Sequence, residues 1–510
     1  MKHLEYAPPF LVAVSPALFL WGRNAALVNP GEALVTIAFL AVLAAAVFGA
    51  SWFVFRSVPK AGIIASITLA LMLFYQNIFF NAFFMSIVTL RHRVAIALAG
   101  AFVVAVGYIV WKRKHDFLSV AQFVGVAAIV FSAISAFQIV GTAFAERVSL
   151  TTPPAVSDAE PLDAGRANEE EELRDIYFII FDEYASPRIL QRIFEYEGAR
   201  DIHAFLREYG FYVVTHGHSN YDDTLYSLPS TLNMQYLSET NRKEAMQLLE
   251  DHALKDFLRA RGYTYVHMGA YLPYTNVNRY ADENVTLGLL SPFQAVVWKS
   301  TVFRPIVAFV APQLALFGAP GSGASDYRLA QWERVRYQFE KLAEIPDRDG
   351  PTFVFAHLLM PHEPFVFDTD GSFVSKEEEA MGDPTENYLN QVAYANSQIQ
   401  ELVKVILEKS DPAPIIILQA DHGFRSETGP GEIPLDPHEQ FDARFRILSA
   451  YYLPDGGDAL LYPTISPVNT FRVVLSRYFG EDLPLLEDKS YMVRHTGDSR
   501  FFVPVEDTIP

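Results

Sequence analysis

Hydrophobic positions along this chain follow two rhythms, and the change between them falls near residue 145. Up to there, long apolar runs at about 7–22, 32–55, 61–90, 94–111 and 117–140 are broken only by short polar interruptions such as RSVPK, RHR and KRKHD. A helix needs about 20 apolar residues to cross a bilayer. All five runs are therefore candidate spans, with four or six as the alternative counts. No small-residue cleavage site stands out after the first run and four more runs follow, which argues against a removable signal peptide. Residues 1–145 are thus expected to form a membrane domain of about five helices. Residues 146–174, which include SDAEPLDAGRANEEEELR, combine proline, small residues and an acidic run without apolar periodicity, and predict a linker.

From 175 onward the apolar runs shorten and alternate with amphipathic segments. IYFII (176–180), YTYVHMG (263–269), TFVFAHL (352–358), PIIILQA (414–420) and RILSAYYLP (446–454) have the composition of buried strands. Between them, 386–410 places Tyr388, Val392, Ala395, Ile399, Leu402 and Ile406 at spacings of three and four, a helical face. Strand–helix alternation predicts an α/β domain over 175–510 with a mostly parallel sheet covered on both sides.

Charge sharpens the division. Residues 1–150 hold ten Lys/Arg against four Asp/Glu, whereas 151–510 holds 30 against 55. Such an acidic half argues against nucleic acid as a partner, because phosphate binding needs clustered basic residues. The chain has no cysteine, which excludes thiolate chemistry and disulfides. With the N-terminus inside, Lys2, Arg56, Lys60, Lys112, Arg113 and Lys114 fall on the cytoplasmic side and Arg23, Arg91 and Arg93 outside. That bias favours this orientation, and five spans then put the acidic half on the extracytoplasmic face.

In open α/β sheets, ligands bind beyond the carboxyl ends of the strands. Three strand ends carry metal-ligand types: FDEY ends the first at Asp182 and Glu183, HLLMPHEP supplies His357 and His362, and ADHG supplies Asp421 and His422. Carboxylate with imidazole suits Zn²⁺ or Mn²⁺, and a carboxylate-rich set suits Mg²⁺ or Ca²⁺. One Asp or His after a strand is most often a cap or turn residue. Three such ends on one sheet point to a metal centre.

This arrangement resembles the alkaline phosphatase superfamily. Within it, the chain is most similar to membrane-anchored sulfatase-like transferases, namely the phosphoethanolamine transferases and lipoteichoic acid synthases. The resemblance implies five membrane helices followed by an extracytoplasmic catalytic domain. It implies Glu183, Asp182, Asp421 and His422 as metal ligands, and His357 and His362 as substrate-facing catalytic histidines. TLYSLP (224–229) resembles the transferase nucleophile segment and implies Thr224 as the attacking hydroxyl. SLPS (227–230) also resembles the sulfatase core, which makes Ser227 the rival, but Thr231 stands where sulfatases carry arginine. The transferases carry disulfides, which this chain lacks. They also have a histidine about a dozen residues after the Asp-His pair, and here the next is His438, sixteen beyond His422, implied as a substrate-binding residue. The implied activity is transfer of a phosphoethanolamine- or phosphoglycerol-like head group. It would pass from a membrane phospholipid to a cell-envelope glycan or lipid, through a phospho-threonine. A sulfatase or phosphodiesterase is the second reading, and a membrane-anchored binding module the third.

Overall fold

In the computed structural model the described residues are 6–24, 28, 30–80, 92–115, 117–149, 173–237, 241–272, 274–287, 292–310, 324–425, 437–496 and 499–505. They form two compact units, each discontinuous in sequence: residues 1–154 with 288–326, and residues 155–287 with 327–510. The expected linker lies almost wholly outside the described residues.

The first unit is helical. Helices Pro30–Phe55 and His92–Lys112, and the stretch Leu118–Gly141 of helix Leu118–Ser149, are long and apolar enough to cross a membrane. Helices Ala7–Arg23 and Val58–Leu73 are apolar but shorter. The third expected run continues through the short helix Tyr75–Phe80 and then leaves the described residues. Side chains such as Val104 and Phe123, 72% and 75% exposed, point outward from these helices, as a lipid-facing surface requires.

The second unit is built on a seven-stranded sheet in the order β2-β7-β6-β1-β5-β3-β4. Its strands are β1 (Ile176–Phe181), β2 (Tyr212–Val213), β3 (Thr264–Met268), β4 (Glu283–Asn284), β5 (Thr352–Leu358), β6 (Ile415–Gln419) and β7 (Ser449–Tyr452). β1 lies at the centre and pairs in parallel with β5 and β6. β3 and β4 extend the parallel part, while β7 runs antiparallel to β6 and β2 antiparallel to β7. A separate hairpin joins β8 (Tyr491–Thr496) to β9 (Ser499–Pro504).

The central strands are apolar without alternation because both of their faces are covered. Tyr177, Ile179 and Phe181 of β1 join one core with Val354 and Ala356 of β5 and Ile416 and Leu418 of β6. Their neighbours Ile176, Phe178, Phe353, Phe355, Ile415 and Ile417 join the opposite core, where Phe471 and Val474 of helix Thr470–Phe479 cover them. Helix Pro384–Lys409 covers the first face with Tyr388, Val392, Ala395, Ile399, Leu402 and Ile406. It starts where Asp383 accepts from the Thr385 and Glu386 N–H groups and proline stands at the first position, both strong start signals.

Candidate active site

β5, β1 and β6 are neighbours running the same way, so their carboxyl ends meet. His357 is the penultimate residue of β5, Asp182 and Glu183 follow β1, and Asp421 and His422 follow β6 within two and three residues. Asp182, Glu183, His357, Asp421 and His422 are all buried. Ligand atoms of Asp182, Asp421 and His422 lie within 4.8 Å of one another. His422 Nε2 is 3.7 Å from Asp182 Oδ1 and 3.6 Å from Asp421 Oδ2. Its Nδ1 sits 2.9 Å from the Gly423 carbonyl. Donation of the Nδ1 proton to that carbonyl leaves Nε2 as a lone pair aimed at the carboxylates.

Among the described residues, no carboxylate oxygen of Asp182 or Asp421 receives a hydrogen bond. Buried carboxylates without donors are costly, and the lone-pair nitrogen beside them adds no donor. A divalent cation resolves the whole set, and the residues fit one. Carboxylate oxygen with imidazole nitrogen is a set that Zn²⁺ or Mn²⁺ takes readily and Mg²⁺ less so.

Glu183 is placed differently from Asp182. Its backbone is left-handed, with φ of 62°, and the Tyr388 hydroxyl holds the turn by donating to the Glu183 carbonyl at 3.0 Å and accepting from Ala185 N–H at 3.2 Å. A non-glycine residue in that region is unusual and clusters at functional sites. The turn aims the Glu183 carboxylate at His362, with Oε1 to Nε2 at 3.8 Å. Burial raises the Glu183 pKa more than His362 and His422 lower it. For His362, burial pulls the pKa down, but Glu183 and Asp182 outweigh it and push it up to about 9. His362 is therefore an imidazolium at neutral pH when no cation is bound. Burial would raise Asp182, yet His362, His357 and His422 hold it well below the usual carboxylate range.

Thr224 opens helix Thr224–Asn233, with Asp223 as the cap accepting from Leu225 N–H at 2.9 Å. Its Oγ1 is buried and 3.3 Å from His422 Nε2, on the cluster side. The helix start also presents backbone N–H groups suited to a phosphoryl group. Ser227, one turn on, is turned to the backbone: its hydroxyl donates to the Asp421 carbonyl at 2.6 Å and fixes the β6 end against the helix. His438 lies on the exposed first turn of helix Pro437–Phe445.

Three contributors escape a reading by motif. Thr275, in the loop after β3, has its hydroxyl 3.1 Å from His357 Nδ1, while its carbonyl lies 2.7 Å from His267 Nε2. It thereby orients His357, whose Nε2 is 3.2 Å from Asp182 Oδ2. The Tyr274 phenol is partly buried, and burial together with Asp223, Asp182 and Asp421 pushes its pKa up, so it stays a neutral donor. Gly423 lets the chain pass close to helix Pro437–Phe445: a Cβ there would stand 2.0 Å from the Ala443 carbonyl oxygen. Of these, only the glycine of ADHG had a visible signal.

Residues 205–458 match the family model described as Sulfatase. That match, over about half of the chain, supports an enzyme of sulfatase-like phosphotransferase or hydrolase type. Among solved structures, the C-terminal periplasmic domain of EcEptC from Escherichia coli is similar at 13% identity, over 69% of this chain and 97% of that one, with a TM-score of 0.43. Its complex with Zn is similar at 12% identity, over 67% and 96%, also at 0.43. The integral membrane lipooligosaccharide phosphoethanolamine transferase A from Neisseria meningitidis is similar at 14% identity, over 94% of this chain and 95% of that one, at 0.40. No curated protein matches the chain.

Proposed function

We propose that the chain transfers a phosphoethanolamine- or phosphoglycerol-like head group from a membrane phospholipid to a cell-envelope glycan or lipid, on the extracytoplasmic face. The setting of Thr224 supports this most. It is a buried hydroxyl at a helix start, 3.3 Å from a metal-ligand nitrogen and beside two donor-less carboxylates. Ser227, by contrast, spends its proton on a backbone carbonyl, which favours Thr224 as the nucleophile.

A divalent cation held by Asp182, Asp421 and His422, with Glu183 alongside, would lower the pKa of the Thr224 hydroxyl and neutralise charge on the phosphoryl oxygens. Thr224 Oγ attacks phosphorus in line, the bond from phosphorus to the diacylglycerol oxygen breaks, and a phospho-Thr224 diester remains. Thr224 gives its proton up to solvent, and the departing oxygen takes a proton in its place. His362, charged through Glu183 and Asp182 and 26% exposed at its side chain, suits that delivery. His357, held by Thr275, keeps Asp182 oriented. An acceptor hydroxyl then attacks the same phosphorus and gives its proton to His362 as the bond from phosphorus to Thr224 Oγ1 breaks, and that oxygen regains a proton from solvent. Membrane helices favour a lipid donor, since tethering raises its effective concentration at the site.

Hydrolysis is the second reading, favoured by the Sulfatase match itself, with water as the acceptor. The two are separated by supplying the full-length protein in lipid nanodiscs with head-group-labelled phospholipid and an envelope lipid extract. Transfer releases diacylglycerol and puts label on the acceptor. Label found only as a free head group supports hydrolysis. Absence of diacylglycerol release with every phospholipid tested refutes the lipid-donor proposal.

A further inference from the structure

Residues 288–326 interrupt the acidic half of the chain, yet they group with the first unit. Their composition is foreign to their surroundings. Across these 39 residues Lys299, Arg304 and Asp326 are the only charged side chains, within a half of the chain that carries 55 acidic residues.

Two short helices are described here, Pro292–Lys299 and Phe303–Val310. Phe293 and Val297, one turn apart, are buried in a cluster with Ala17, Val28, Ala33 and Leu73. Val28, Ala33 and Leu73 lie at or near helix ends: just before and within the first turn of Pro30–Phe55, and at the last residue of Val58–Leu73. Backbone bonds secure the contact, with Gln76 N–H to the Ser300 carbonyl at 3.0 Å and Val302 N–H to the Met72 carbonyl at 2.7 Å. The Ser300 hydroxyl also donates to the Leu73 carbonyl, at 2.9 Å. The insert therefore caps one end of the membrane helices.

Its outer side is apolar. Val296 is 52% exposed and Ile306 38%. Trp298 stacks on Phe303 at 5.8 Å, and Lys299 and Arg304 adjoin that pair. Apolar side chains beside an indole and flanked by basic groups is the composition of a membrane–water interface, where aromatic rings settle and cations reach the head groups.

We propose that helices Pro292–Lys299 and Phe303–Val310 form an interfacial lipid-binding insert, a second membrane attachment in mid-chain. Lipid is the occupant of the Val296–Ile306 face. The inference rests on the membrane reading of the first unit and is independent of the reaction chemistry.

The absence of cysteine makes the test clean. Val296→Cys and Ile306→Cys are made separately in the full chain, labelled with an environment-sensitive fluorophore and reconstituted in nanodiscs of phosphatidylcholine and phosphatidylglycerol. Val104→Cys, on a spanning helix, marks the bilayer interior, and Met381→Cys, 80% exposed in the second unit, marks water. Quenching is measured with aqueous iodide and with lipids carrying spin labels at shallow or deep positions. The expected result is several-fold stronger quenching of both insert sites by shallow lipid label than by iodide. Behaviour like Met381 overturns the proposal. Quenching by the deep label, as for Val104, overturns its interfacial character. Shielding from every quencher means that protein covers the face, and also overturns it. Failure of the Val104 control to see lipid would instead reject the membrane reading of the unit.

Discussion

Asp182→Asn isolates the metal centre from the rest of the fold. The substitution keeps the side-chain volume and one oxygen but removes one of the two carboxylates clustered with His422 Nε2. A cation that binds only the folded protein stabilises it by RT ln(1 + [L]/Kd), about 2.7 kcal/mol at a hundred times Kd. For a unit of this size that corresponds to a rise in Tm of about 4 °C. If losing one of the two carboxylates weakens Kd about 100-fold, the same cation concentration yields on the order of 0.4 kcal/mol, a shift of about 1 °C. The assay is thermal unfolding of the full-length protein in detergent, after chelation and dialysis, with and without Zn²⁺ or Mn²⁺. The quantity compared is the metal-dependent shift, so any effect of the substitution on the cation-free protein cancels. A variant that keeps the full shift would refute the grouping of Asp182 with Asp421 and His422.

Three further outcomes follow from neighbouring contacts. Ser227→Ala removes the bond to the Asp421 carbonyl and should cost about 1 kcal/mol of stability while leaving turnover measurable, because that hydroxyl is structural in this geometry. Thr275→Val removes the hydroxyl facing His357 Nδ1 and should lower kcat more than it raises KM and weaken metal affinity; Thr275→Ser should restore both, whereas a role confined to packing would leave Ser no better than Val. Asp175 is partly buried and burial raises its pKa, with the Thr352 N–H bond and Arg348 opposing. The stability from its protonated form is present below the unfolded pKa of about 4 and is lost as pH rises through the folded value. Asp175→Asn keeps the acceptor for Thr352 without the charge, so its Tm should match or exceed that of the parent at pH 7 and change less as pH rises above about 4; a lower Tm at pH 7 contradicts this.

The parts of the site that could be read from sequence are those set by backbone direction alone. Apolar strands buried on both faces announce β1, β5 and β6, and any ligand-type residue at their carboxyl ends must converge once the three are neighbours. Thr224 came from the resemblance of TLYSLP to the transferase nucleophile segment, not from its place on a strand. What direction cannot convey is which way a side chain turns. Asp182 and Glu183 are adjacent in sequence, and only the left-handed backbone at Glu183 separates a carboxylate on the Asp421–His422 cluster from one facing His362. Tyr388 reads as one more apolar position on a helix, but its hydroxyl holds that turn. Thr275 sits in a loop with no periodicity. The insert was hidden for a different reason: its apolar residues look like core when their partners, far back in the chain at 13–73, are not considered.

The central claim is that Thr224 carries the transferred group. The direct measurement is intact-protein and peptide mass spectrometry of the full chain after brief incubation with phospholipid and rapid acid quenching. The account predicts a phospho-head-group adduct confined to the peptide that contains Thr224, of a mass set by the donor's head group and absent in Thr224→Ala. An adduct on Ser227, or an aldehyde at that position, would contradict it.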